Sequence, residues 1–260
     1  MCLILLAWQA HPNYPLVVAA NRDEFFARPT ATAAFWPQAQ QVLAGRDLQA
    51  GGTWLGVTRT GRFAALTNYR DPAQNRQLPS RGALVADFLT GSETPEAYLA
   101  RIAASGVAYN GYNLLLGDGK RLWWASNVSG ERRPLAPGIY GVSNDLLDTP
   151  RPKVGAGKTA LTQAIDHLPD DRPLFNLLQN DAIHPDEHLP ATGVPQDWER
   201  LLSAAFVKSP SYGTRSSTVL YQRCDGWITF DEQIWLAGAQ RGARVRYRLV
   251  VAEVASETEK

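Results

Sequence analysis

Sulfur is scarce in this chain, which holds two cysteines and one methionine among 260 residues. Cys2 and Cys224 cannot form a disulfide framework, so stability has to come from a buried core. With 45% hydrophobic residues, a chain of this length can bury roughly three quarters of its unfolded surface. Charge of one sign is also missing. A formal net charge of +1 gives no reason to expect nucleic acid or an anionic membrane as partner. No stretch approaches the ~18 apolar residues of a membrane span. The apolar N-terminus has no basic residue before it and runs into Arg22-Asp23-Glu24 without a small-residue cleavage site, so it reads as a strand and not a signal peptide. The cytoplasm is the compartment expected by default. No repeat, low-complexity run or Ser/Gly linker interrupts the strand signals, so one domain over residues 1–255 with a short polar tail at 256–260 is expected.

Three motif-like stretches fail on context. Gly155-Ala156-Gly157-Lys158-Thr159 resembles a phosphate-binding loop, but Pro152 stands where the first glycine belongs and no apolar strand leads in. His184-Pro185-Asp186-Glu187-His188 has the spacing H-x-x-E-H, yet Pro185 and Pro190 leave room for about one helical turn, so no metal is expected. Gly141-Val142-Ser143-Asn144-Asp145 begins like a serine nucleophile elbow and lacks its final glycine.

What the chain does have is Cys2 directly behind the initiator methionine. Cysteine is small enough for an aminopeptidase to remove Met1, which would leave a thiol and a free α-amine on one residue. With reference pKa values of about 8.5 and about 7.7 to 8.0, the two can exchange a proton without a recruited histidine. The apolar run from Cys2 to Trp8, the turn cluster His11-Pro12-Asn13-Tyr14-Pro15 and the run from Leu16 to Ala20 predict an antiparallel hairpin. A turn centred near Pro12 pairs residues whose numbers sum to about 24, which sets Cys2 against the neighbourhood of Arg22. A guanidinium there would favour the thiolate and make Cys2 the more reactive thiol, while a carboxylate from Asn21-Arg22-Asp23-Glu24 could hold the protonated amine.

Other polar residues sit at predicted strand ends. Asn68 closes the run from Phe63, which pairs with Thr53 to Thr58. Asn144 follows Ile139 to Ser143, and Arg215 precedes Ser216 to Tyr221. Uncharged amides suit a developing oxyanion, although asparagine also ends strands for local reasons. Asp225-Gly226 marks a hairpin turn, which makes Cys224 structural. Arg241 to Arg248 alternates basic and apolar residues and predicts a half-exposed strand. Helices are predicted at Arg81 to Leu89 after a capping Ser80, at Thr94 to Ser105, and at Lys158 to Leu168, with shorter pieces at Pro173 to Gln179 and Trp198 to Ala204.

Cys2, Asn21-Arg22-Asp23-Glu24-Phe25, Gly51-Gly52-Thr53-Trp54-Leu55-Gly56, Thr67-Asn68-Tyr69-Arg70, Gly141-Val142-Ser143-Asn144, Asp148-Thr149-Pro150, Pro152-Lys153 and Tyr212 to Thr218 together resemble the NRDE-motif family, also called the transport and Golgi organisation protein 2 family. That resemblance implies an α+β fold, the four-layer αββα sandwich of N-terminal-nucleophile (Ntn) hydrolases, without fixing a reaction. A more distant resemblance to the Ntn cysteine amidases, among them penicillin V acylase and the conjugated bile-acid hydrolases, implies roles. Cys2 looks like their nucleophile and Asp23 like the carboxylate near the amine. Asn68 and Asn144 look like oxyanion or substrate-orienting amides, and Arg215 like the arginine beside the thiol. Asn21, Arg22 and Glu24 would bind substrate or support the site. Those amidases separate the early arginine and aspartate by two residues. Here Arg22 and Asp23 are adjacent, so along a strand they should point to opposite faces unless the strand bulges or ends.

Two functions follow. One is an amidohydrolase for a small-molecule amide or acyl substrate, requiring no cofactor. The other is a carrier that uses the same cleft for haem, acyl-CoA or another lipid, since the resembled family is connected with haem movement and acyl-lipid metabolism. The eight tryptophans suit either an apolar ligand or a thick core. Protein purified from its native host is expected to have an intact mass short by one methionine; full retention of Met1 would remove the free-amine mechanism.

Overall fold

The computed structural model describes residues 2–251; the tail expected at 256–260 lies outside them. Strand β1 (Cys2–Trp8) and strand β2 (Leu16–Phe25) form the expected hairpin, and Cys2 pairs with Arg22. Both strands are apolar on both faces because both faces are covered. Ile4, Leu6, Trp8, Leu16, Val18 and Ala20 enter one core, while Leu3, Leu5, Ala7, Val17 and Ala19 enter another. This period-two split of a continuous apolar run is the signature of a sheet sandwiched between two layers.

The chain continues through β3 (Thr30–Trp36), β4 (Ala39–Asp47), β5 (Leu55–Thr58) and β6 (Phe63–Asn68), then helices α1 (Gly82–Thr90) and α2 (Pro95–Ala104). Next come β7 (Tyr112–Gly117), β8 (Leu122–Ser126), β9 (Arg132–Pro134) and β10 (Gly138–Val142). Helices α3 (Pro152–Ala164), α4 (Arg172–Leu178) and α5 (Gln196–Ser203) precede β11 (Tyr212–Gln222), β12 (Trp227–Leu236) and β13 (Gln240–Val250). All strand pairs are antiparallel. One sheet has the order β10-β1-β2-β11-β12-β13 and the other the order β3-β4-β5-β6-β7-β8-β9.

Three apolar cores show the layers. The central one joins β1 and β2 to Leu55, Val57, Phe63, Ala65, Leu115 and Trp124 of the facing sheet. A second packs the outer face of the first sheet on Val154 and Leu161 of α3 and on Leu174, Phe175 and Leu178 of α4. The third packs Ala64, Leu66, Leu114 and Leu116 on Leu84, Val85 and Phe88 of α1 and on Tyr98 and Leu99 of α2. This is the expected α+β αββα sandwich. Among the described residues, no helix is long and apolar enough to cross a membrane.

The helices match expectation in number, and α2 starts as predicted, with Thr94 Oγ1 accepting from the Ala97 N–H at 3.3 Å and Pro95 in the first turn. Helix α3 is the main correction. It begins at Pro152, six residues before the predicted start, and runs straight through Gly155 and Gly157. Its packing explains the second glycine: a Cβ on Gly157 would stand 2.7 Å from the Leu5 side chain, so only glycine lets α3 lie this close to β1. The segment His184 to His188 holds a single short turn at Asp186–His188, and no metal-binding cluster exists among the described residues. Strand β13 is more exposed than predicted. Its Arg244 and Arg246 reach back over β12 to Asp231, which is fully buried.

Glu232 on β12 is also buried, in the central layer, where it accepts from the Ala33 N–H at 2.7 Å. Burial pushes its carboxyl up to about 7 against the opposing pull of that hydrogen bond and of Arg22. A folded value above the unfolded one means that folding takes up a proton. The resulting stability is fully present below the unfolded value near 4.3 and is lost as pH rises through about 7. Urea unfolding at pH 5 and pH 8 is therefore expected to show a larger loss of stability in the wild type than in Glu232→Gln. Equal losses would contradict this assignment.

Candidate active site

Cys2 opens β1 and lines a cleft of about 610 Å³ between the two sheets. Its backbone is held on both sides, by the pairing with Arg22 and by the Ser143 hydroxyl, which donates to the Cys2 carbonyl at 2.9 Å. Arg22, Asp23, Glu24 and Asn68 line the same cleft. Arg22 and Asp23 leave β2 on opposite faces, as their adjacency requires. The Arg22 guanidinium lies 4.4 Å from the Trp54 ring centroid and donates to Thr30 Oγ1 at 3.3 Å, on the inter-sheet side. A Cβ on Gly45 would meet the Trp54 ring at 2.4 Å, so the absence of a side chain there gives the indole its place. The Asp23 carboxylate accepts from Thr214 Oγ1 at 2.7 Å and is acted on by Lys153 of α3.

Lys153 was visible only as part of a motif, with no role attached. It is buried, its Nζ donates to the Leu202 carbonyl at 2.8 Å, and burial brings its ammonium down to about 8 while Asp23 and Cys2 oppose that shift. Asn21 is buried in the same region. Its amide donates to the carbonyls of Leu178 and Ala205 at 2.7 and 2.8 Å and its Oδ1 accepts from Ser217. With these hydrogen bonds made to protein, Asn21 braces the strand and is not among the residues lining the cleft.

The two asparagines at strand ends meet each other. Asn144 Nδ2 donates to the Asn68 carbonyl at 2.7 Å, and the Arg70 N–H donates to the Asn144 carbonyl at 2.8 Å, so the end of β6 is tied across the layers to the turn after β10. Asn68 itself lines the main cleft, whereas Asn144 borders a neighbouring cavity of about 30 Å³ together with Lys153, Arg70 and Glu199. One of the two Asn144 amide hydrogens is thus committed to the clamp.

Arg215 goes elsewhere. The pairing of β11 with β2 shifts register between Thr214 and Ser216, so Arg215 is the extra residue of a bulge. Its guanidinium donates to the carbonyls of Phe25, Phe26 and Arg28 at 2.8 to 3.2 Å, fastening the turn after β2. The guanidiniums that do share the cleft with Cys2 are those of Arg22, Arg28, Arg76 and Arg81. Arg81 sits at the start of α1, a position the sequence presents only as a helix residue.

Burial pushes the Cys2 thiol up and the Asp23 carboxylate adds to the rise, while Arg22 and a hydrogen bond from the Asp23 backbone N–H oppose it. Arg22 does favour the thiolate, as expected, but desolvation outweighs it and the thiol is raised. Asp23 is raised by burial as well, against Lys153, Thr214 and Arg22. A neutral thiol needs an adjacent base at the moment of attack. In protein that retains Met1, iodoacetamide is expected to modify exposed Cys224 before Cys2, with the Cys2 rate rising at a pH above the ~8.5 of an ordinary thiol. A Cys2 midpoint below that value would contradict the dominance of burial.

Residues 1–237 match the family described as Transport and Golgi organisation 2. The Transport and Golgi organization protein 2 homolog of Bos taurus is 41% identical, over 91% of this chain and 94% of its own length. The Homo sapiens homolog is 37% identical, over 90% of this chain and 92% of its own. Transport and Golgi organization protein 2 of Drosophila melanogaster is 30% identical, again over 90% and 92%. Among solved structures, the Caenorhabditis elegans N-acylethanolamine-hydrolyzing acid amidase ortholog superposes with a TM-score of 0.52, covering 84% of this chain and 92% of that one. At 12% identity, this likeness concerns the fold, which is Ntn-hydrolase-like.

Proposed function

The chain belongs to the Transport and Golgi organisation 2 family, and from that premise we propose that it is an N-terminal cysteine amidohydrolase acting on the C–N bond of an acyl amide. The observation that carries this is the seat of Cys2: first residue of a central strand, lining the inter-sheet cleft, with Asp23 beside it. The structural neighbour's name, an amidase, adds support from the same fold.

Once Met1 is removed, the free α-amine of Cys2 takes the thiol proton as Sγ attacks the substrate carbonyl carbon. The oxyanion that forms accepts hydrogen bonds from the Asn68 amide and the remaining Asn144 N–H, each donor being worth about 3 kcal/mol of transition-state stabilisation. Asp23 holds the resulting ammonium. The C–N bond breaks as the ammonium returns its proton to the leaving amine, leaving a thioester on Cys2. Water then attacks the thioester with the α-amine as base, releasing the carboxylic acid and restoring the thiol. Thr214 and Lys153 position Asp23, and Ser143 positions Cys2. A free thiol nucleophile suits a reducing compartment, which favours the cytoplasm.

Haem, as cargo of a carrier, fits the donor set poorly. Among the described residues no histidine lines the cleft, and Cys2 is the one soft ligand there. Acyl-CoA carriage would use the same walls without chemistry. Steady-state assay of a panel of acyl amides separates the readings. Processed wild type is expected to turn over at least one of them, Cys2→Ser and Asp23→Asn to lose that turnover, and Asn144→Ala to fall by about 10²-fold with KM little changed. Saturable haem or acyl-CoA binding without turnover of any amide would contradict the hydrolase.

A further inference from the structure

The charges lining the cleft do not balance locally. Arg28 pairs with Asp47 at 2.6 Å and stands 3.8 Å from Glu24. Arg22 shares Glu24 at 3.9 Å and has the Trp54 ring against its face. Arg81 has no such partner: its Nη1 donates to the Gly111 carbonyl at 2.9 Å, and among the described residues no carboxylate lies within ion-pair distance of it. Arg76, an exposed residue of the loop before α1, is likewise without an ion pair among the described residues. Both uncompensated cations lie on one wall. Cys2 stands on the other, since it belongs to the opposite sheet.

That wall is built and not a loose rim. The loop carrying Arg76 is fixed to the strand side by a reciprocal pair, the Asn75 N–H donating to Asn110 Oδ1 at 2.9 Å and Asn110 Nδ2 donating to the Asn75 carbonyl at 2.8 Å. Burial lowers the Arg81 guanidinium from its ordinary value, with Cys2 and Glu24 opposing. A partly desolvated cation of this kind gains from a counter-ion that arrives with a ligand. Trp54, Leu66 and Leu78 supply apolar surface in the same cleft.

We infer that Arg81, assisted by Arg76, forms an anion-binding subsite, so that the cleft selects amphiphilic acyl ligands with a carboxylate or phosphate near the acyl bond over neutral ones. The acyl carbonyl at Cys2 rests on the hydrolase proposed above; the subsite rests on the charge balance alone. Binding is measured by calorimetry on full-length Cys2→Ala protein, which cannot turn over its ligand, using N-dodecanoylglycine, dodecyl phosphate and neutral N-dodecanoylethanolamine. At least one anionic probe is expected to bind about ten-fold or more tightly than the neutral one, the size of one charge-assisted hydrogen bond. Tighter binding of the glycine conjugate identifies a carboxylate as the selected group, and tighter binding of dodecyl phosphate identifies a phosphate. Arg81→Gln should remove the preference without weakening the neutral probe, and Arg81→Lys should restore part of it. Arg76→Gln, at an exposed position that leaves folding intact, should reduce it. Equal binding of all three probes, or a preference that survives both glutamine substitutions, overturns the subsite. Anion-selective binding with no amide turnover by processed wild type would remove the hydrolase and leave the subsite standing.

Discussion

The pairing of β1 with β2, in the register that sets Cys2 opposite Arg22, is the constraint on which the rest of the site depends. A slip of one residue would turn every side chain of β1 to the other face. Two apolar cores oppose such a slip, because Ile4, Leu6 and Trp8 would have to leave the central layer and Leu3, Leu5 and Ala7 the helix layer. At about 1.5 to 3 kcal/mol for each large aliphatic side chain, the register is held far more firmly than any polar contact around Cys2 could hold it. The placement of the thiol at residue 2 is in this sense a by-product of core packing along the six residues that follow.

Around Cys2 the electrostatics are arranged by face. The inter-sheet side of β2 receives Arg22 and the helix side receives Asp23, which lies within the field of Lys153 and accepts from Thr214. A thiol between them is too deeply buried to ionise readily, and the cations present do not reverse that. For the proposed hydrolase this favours concerted proton transfer within Cys2 over a standing thiolate. Segment 202–205 is tied into the same arrangement, by Lys153 to the Leu202 carbonyl and by Asn21 to the Ala205 carbonyl, and Arg70 forms a buried ion pair with Glu199 just before it.

Much of this was legible in the residues. The hairpin register followed from one proline-centred turn, the opposed directions of Arg22 and Asp23 from strand periodicity, and the four layers from family resemblance. The early start of α3 was not, because Gly155 and Gly157 lower helix propensity and the reason for tolerating Gly157, contact with Leu5, is a tertiary one. The place of Arg215 was hidden for a similar reason: a bulge is a property of two strands, and only the pairing of β11 with β2 reveals it. Arg81 carries no local mark at all. Its nearness to Cys2 arises from the stacking of one sheet on the other, across nearly eighty residues of sequence, which no pattern within a single element encodes.

The most direct measurement of the central claim is mass analysis of the N-terminal peptide after acid quenching of processed protein with a slowly hydrolysed acyl amide. An acyl group bonded through Cys2 sulfur, sensitive to hydroxylamine and absent from Cys2→Ser protein, is the result the mechanism requires. A free Cys2 during demonstrable turnover, or an acyl group carried on Cys224, would contradict it.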